Sequence, residues 1–254
     1  MIRSTLRMAM IATFMAGTVF AVSSPSEAAF KLFLDDLGDA SPGITVQDQD
    51  FVPAFGDVAD SSPVPGLVQF NGSIGSFAVV VSTGVSKPLI GPPDSIDFIN
   101  LDVSGGSGGT LVVRLTDTDF MNVNGGATDF AGSISGNTQG SISALARADD
   151  GNAEYGGGII GTFGTFDNSG QPANAAESFS DAFLVTDTPY SDPYSMTIEA
   201  TITHDAPGDS TDFDFFLTVS PSANEDPVPE PATWLLGSMA LLGFALALRR
   251  RQKS

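Results

Sequence analysis

Apolar and polar residues alternate one for one through the last third of this chain, and that period of two leaves room for little except β-strand. Tyr194, Met196, Ile198, Ala200 and Ile202 fall on one side, with Ser195, Thr197, Glu199, Thr201 and Thr203 on the other. Phe213, Phe215, Leu217 and Val219 repeat the pattern against Asp212, Asp214, Phe216 and Thr218. Ala206-Pro207-Gly208-Asp209 has the composition of a turn between the two. The sequence therefore predicts a hairpin of two half-buried strands here.

Earlier segments follow the same rule. Lys31 to Asp35, Leu67 to Asn71 and Phe77 to Thr83 are strand-sized, and Val79-Val80-Val81 makes the third apolar on both faces. Ile96 to Val103 and Thr110 to Thr116 flank a glycine-rich loop, Ser104 to Gly109. In the second of these Leu111, Val113 and Leu115 point inward and Arg114 outward. Ser141 to Ala148 and Ala182 to Thr186 complete the set, while residues 149–176 are glycine-rich and weakly patterned, as expected of a surface loop. No body segment carries a helical stripe. The expectation is an all-β fold: an antiparallel β-sandwich or jelly-roll-like domain of about ten strands over residues 29–219.

Composition limits what such a domain can do. Residues 29–226 hold 28 acidic side chains and only Lys31, Lys87, Arg114 and Arg147 as cations, a net charge of −24. That surface repels nucleic acid and other polyanions. The chain has no cysteine, which excludes disulfides, zinc–thiolate centres, cysteine nucleophiles and a lipidated cysteine.

The two ends have a different character. Arg3 and Arg7 precede an apolar core, Met8 to Val22, and Ser26 and Ala28 occupy the −3 and −1 positions of a small-residue cleavage site. This is the pattern of a signal peptide over residues 1–28, cut after Ala28. At the other end a polar linker, 220–227, leads into Val228-Pro229-Glu230-Pro231 and an apolar run to Leu248. Arg249, Arg250 and Arg251 close that run. The apolar stretch 232–248 is 17 residues, the lower edge of a transmembrane helix, and the arginines favour the cytoplasmic side. The prolines hold the segment before it extended and unpaired, a shape a processing enzyme can bind.

String, span and basic stop together resemble the PEP-CTERM sorting signal, over 228–254 only. The resemblance implies that an exosortase cuts near Pro229, Glu230 and Pro231 while the span holds the body outside the inner membrane. It further implies a cell-surface or extracellular-matrix role in exopolysaccharide-producing Gram-negative bacteria.

Catalytic signals are weak in the body. Gly105-Gly106-Ser107-Gly108-Gly109 matches the nucleophile-elbow string, but the string requires a following helix and a strand is expected instead. His204 is the only histidine and sits at a strand end, so a structural role explains it. Asp117 with Asp119, and Asp212 with Asp214, are the candidate calcium carboxylates, although neither pair has the spacing of a known calcium loop. Asp212 and Asp214 share one strand face, which suits a solvated surface. The expected protein is exported, non-enzymatic and without a required cofactor, its partners being an exosortase, the inner membrane and exopolysaccharide. The alternative is a calcium-stabilised adhesin or polysaccharide-binding module on a permanent single-pass anchor.

Overall fold

The computed structural model describes residues 29–54, 56–90, 94–121, 127–168 and 175–221. The signal peptide with Ala28, the Pro229–Pro231 string, the 232–248 span and Arg249 to Arg251 therefore lie outside the described residues. Among the described residues no helix is long and apolar enough to cross a membrane.

Among the described residues thirteen strands form two antiparallel sheets packed face to face. The front sheet contains β1 (Lys31–Asp36), β2 (Ile44–Gln47), β6 (Gly109–Phe120), β8 (Ser141–Asp149), β9 (Gly158–Thr162), β10 (Phe166–Asp167) and β12 (Tyr194–His204). Its order is β10-β8-β12-β6-β1-β2, with β9 also on the outer edge of β8. The back sheet contains β3 (Leu67–Ile74), β4 (Phe77–Val85), β5 (Ser95–Gly105), β7 (Ala127–Thr138), β11 (Glu177–Pro189) and β13 (Ser210–Pro221). Its order is β11-β7-β13-β5-β4-β3. From β5 to β8, and again from β11 to β13, successive strands alternate between sheets, which gives the jelly-roll-like character.

That alternation corrects the expected hairpin. Strands β12 and β13 bury the residues the pattern assigned, but they lie in different sheets and face each other across the core. The loop Ser104–Gly109 likewise links the back sheet to the front sheet rather than closing a hairpin. A period of two says which face is buried; it does not distinguish pairing within a sheet from packing across the sandwich. Part of the glycine-rich stretch expected to be a surface loop is strand instead: β9 and β10 pair there with β8.

Rings from both sheets fill the interior. Phe30, Phe77, Phe98, Phe120, Phe130, Tyr194 and Phe215 are among the largest fully buried side chains. Each such ring contributes about 2–3 kcal/mol through the apolar surface removed from water. They meet edge-on or tilted, with Phe163 and Phe215 at 5.1 Å and Phe120 and Tyr194 at 5.7 Å between centroids. Gly136 in β7 is required by close approach: a Cβ there would run into the Asp212 carbonyl and Phe213 of β13.

Both ends of the described chain leave from one pole. The Ala29 amide donates to Thr118 Oγ1 at 2.9 Å, beside the end of β6. Strand β13 finishes beside the start of β5, where the Val219 amide donates to the Asp94 carbonyl at 2.8 Å. The glycine crossover and the β12–β13 corner form the opposite, distal pole.

Candidate functional site

At the pole where the chain ends emerge, Thr118 is a hub. Its Oγ1 accepts from Ala29, its carbonyl accepts from Lys87 Nζ, and its amide donates to Asp117 Oδ1 at 2.8 Å. Asp117 is fully buried and also accepts from Ser86 Oγ at 2.5 Å. Burial pushes its carboxyl up to about 6 against the pull of Lys87, Ser86 and the Thr118 amide. Lys87 reaches within 3.8 Å of Asp117 and lies 4.0 Å from the Phe120 ring centroid, which places its charge on an aromatic face. Burial lowers its ammonium pKa in turn. Asp119 turns away to the 150–157 loop: its amide donates to Asn152 Oδ1, and its Oδ1 accepts from Asn152 Nδ2. Asp117 and Asp119 are thus committed to different partners, not joined in one cradle. Among the described residues no three His, Asp or Glu side chains converge to hold a metal ion.

The outer face of the front sheet collects Lys31, Arg114 and Arg147, three of the four body cations. Register explains how they meet. Phe33, Arg114, Glu199, Leu145 and Thr162 fall opposite one another across five strands in a single row. Glu199 accepts from Arg114 Nε at 2.7 Å, and Arg147 Nε stands 3.9 Å from the same oxygen. Lys31 pairs with Glu154 at 2.7 Å, so each cation on this face stands beside a carboxylate. Beside the row an open groove of about 190 Å³ is lined by Ser143, Leu145, Thr162, Phe163, Glu199 and Thr201. At the other end of the row Phe33 and Tyr155 lie 5.9 Å apart, with the Arg114 guanidinium 5.5 Å from the Phe33 ring.

The outer face of the back sheet is its opposite in charge. Asp102 and Asp212 stand directly across from each other, and Asp214 accepts from the Asn100 amide at 2.6 Å. Asp212 accepts from Asn137 Nδ2 at 3.0 Å. Burial, then the Asp214 charge, pushes Asp97 up to about 6. Burial, then Asp212, raises Asp102 as well. Asp212 and Asp214 share the face the alternation assigned them.

At the distal pole His204 is buried, with Nε2 3.0 Å from Thr211 Oγ1, which in turn meets Thr138 Oγ1 at 2.8 Å. Burial lowers its pKa, opposed by Asp209 and Asp205. Gly105 leaves room for the ring, since a Cβ there would fall 2.7 Å from His204 Nδ1. Ser107 lies exposed on the crossover and bonds, among the described residues, only to the Gly108 carbonyl. Strand β6 follows it where a nucleophile elbow needs a helix.

Fold and surface together define an acidic jelly-roll-like β-sandwich whose one donor-rich face is the front sheet. The tail beyond it, residues 227–251, matches the PEP-CTERM protein-sorting motif. No curated protein matches the chain. Among solved structures it is similar to TmCBM61 in complex with β-1,4-galactotriose, at 10% identity and a TM-score of 0.30, covering 59% of this chain and 92% of that one. It is also similar to the enzymatically active domain of bacteriophage CBA120 tailspike protein 4, at 13% identity and a TM-score of 0.32, of which it spans 19%. A third is TmCBM27, a mannan-recognising carbohydrate-binding module, at 10% identity and a TM-score of 0.29, covering 61% of this chain and 89% of that one. At such scores no binding property of those proteins transfers to this chain.

Proposed function

We propose that this protein is an exported, non-enzymatic component of the cell surface or extracellular matrix, held at the inner membrane by its tail and released by an exosortase. The observation that carries the reading is the sorting motif, which begins at residue 227, six positions beyond the end of β13 at Pro221. Pro229 lies two positions further on, and eight residues can reach at most about 27 Å, enough for an enzyme at the membrane to meet the string clear of the sandwich. Ala29 and Pro221, the ends of the described chain, lie at the pole of Thr118, so the tail is attached at that end of the sandwich. Exopolysaccharide is the partner outside the cell, and the front face, with its donors, acceptors and groove, is the surface that would meet it.

The test is Glu230→Ala in the producing cell. Full-length protein should accumulate in the membrane fraction while wild type is released. Release of the variant at the wild-type rate would remove the exosortase from the reading.

A further inference from the structure

We infer that the groove at Glu199 on the front sheet, together with the Arg114 and Arg147 side chains that flank this carboxylate, is a binding site for an uncharged polysaccharide. This deepens the polysaccharide partnership proposed above and rests on it. Three features of the face select the ligand class. The first is charge balance. Arg114 and Arg147 flank one carboxylate, Glu199, and Lys31 is matched by Glu154. The face therefore offers little net positive field to draw a polyanion through the repulsion of a body carrying −24.

The second is the mixture of donors and acceptors. Among the described residues Arg114 gives only its Nε–H to Glu199, which leaves the rest of its guanidinium fork to donate outward. Its side chain is 35% exposed and that of Arg147 is 27% exposed. Glu199, with Ser143, Thr162 and Thr201, supplies acceptors and hydroxyls at the groove. A sugar hydroxyl donates and accepts at once, so a polyhydroxyl chain can satisfy both kinds of group. The back face lacks the charged donors, because its charged groups are all carboxylates.

The third is shape. The row from Phe33 to Thr162 crosses five strands, roughly 19 Å at about 4.8 Å per strand spacing. That is a shallow track for several consecutive sugar rings rather than a pocket for one small molecule. Leu145 gives the groove an apolar component against which the carbon face of a ring loses water.

The experiment is affinity electrophoresis of the released, folded protein through gels holding an uncharged polysaccharide (dextran, galactomannan or hydroxyethylcellulose) or the carboxylated polygalacturonate. Retardation is expected in at least one uncharged gel and is expected to persist from about 0.05 to 0.5 M salt, because little of it is ionic. Arg114→Ala and Arg147→Ala should each weaken it about tenfold, whereas Asp102→Asn on the back face should leave it unchanged. Arg147 makes the longer of the two contacts with Glu199, 3.9 Å against 2.7 Å for Arg114, so its removal disturbs the face less and that variant keeps the test interpretable if Arg114→Ala is unstable. Undiminished retardation of both arginine variants would overturn the site. Retardation by polygalacturonate alone would overturn the ligand class while the polysaccharide partner stands. Passage through every gel without retardation would remove the partner and the site together.

Discussion

The two outer faces of the sandwich are built on the same pleat and carry opposite logic. On the front sheet, charges are placed so that neighbours in register neutralise one another: Arg114 lies across from Glu199, and Arg147 stands one row away. On the back sheet the directly opposed pair is Asp102 and Asp212, and Asp97 lies near Asp214. Opposite charges across a ladder stabilise a sheet slightly, and like charges destabilise it. The back face therefore costs the fold some stability and the front face recovers some. A chain with 24 aspartates between residues 29 and 226 must put them somewhere, and this one keeps them off the two rows that contain Arg114 and Arg147.

The largest expected break in that comparison is Glu199→Ala. Its side chain is only 14% exposed and serves two guanidinium groups. Removing it should cost about 1.5 kcal/mol in urea unfolding. The corresponding change on the back face, Asp212→Ala, should cost less than about 0.5 kcal/mol, because a lost hydrogen bond from Asn137 is offset by relief of repulsion. Equal losses at the two sites would mean that the faces do not differ as described.

Next in size is Asp97→Asn. Its folded carboxyl titrates at about 6 against 3.8 for the ordinary group, so the folded chain binds this proton more tightly than the unfolded chain. Stability from this group is greatest in acid and is lost as pH rises from about 4 through about 6. Buried Asp117 adds a loss in the same window. His204 works in the opposite sense, since its lowered pKa makes protonation favour the unfolded chain. Asp97 is half-buried and partly screened, so Asp97→Asn should gain about 1 kcal/mol near pH 7.5 and nothing near pH 4. Thermal melts across that range would sharpen the assignment, and a pH-independent gain would contradict it.

The smallest effect belongs to Asp102→Asn. It should stabilise by about 0.5 kcal/mol at low salt, with the gain shrinking toward zero near 0.5 M as the repulsion is screened. Melting temperatures in a salt series would show it.

Much of this was legible before any coordinates. The alternation gave the inward faces of β12 and β13 correctly, placed Arg114 outward, and marked Asp212 and Asp214 as sharing a surface. It missed the edge strand β2 and the interior strand β7, whose Ala-Gly-Ser-Ile-Ser-Gly-Asn run has little strand propensity of its own. Strand β7 forms because β11 and β13 pair on either side of it and its glycines admit the neighbouring strand closely. The partners of Arg114 were not legible either. Glu199 is 85 positions away, and it meets Arg114, and Arg147 in turn meets Glu199, only because the strand order is β8-β12-β6. Strand order is a long-range property that periodicity does not carry.

One measurement reaches the claim on which the rest depends: the intact mass of the protein recovered from outside the cell. The chain should begin at Ala29 and end close to Pro231, lacking both the signal peptide and the apolar segment before Arg249. A recovered chain that still runs to Ser254 would contradict release by cleavage at the sorting motif.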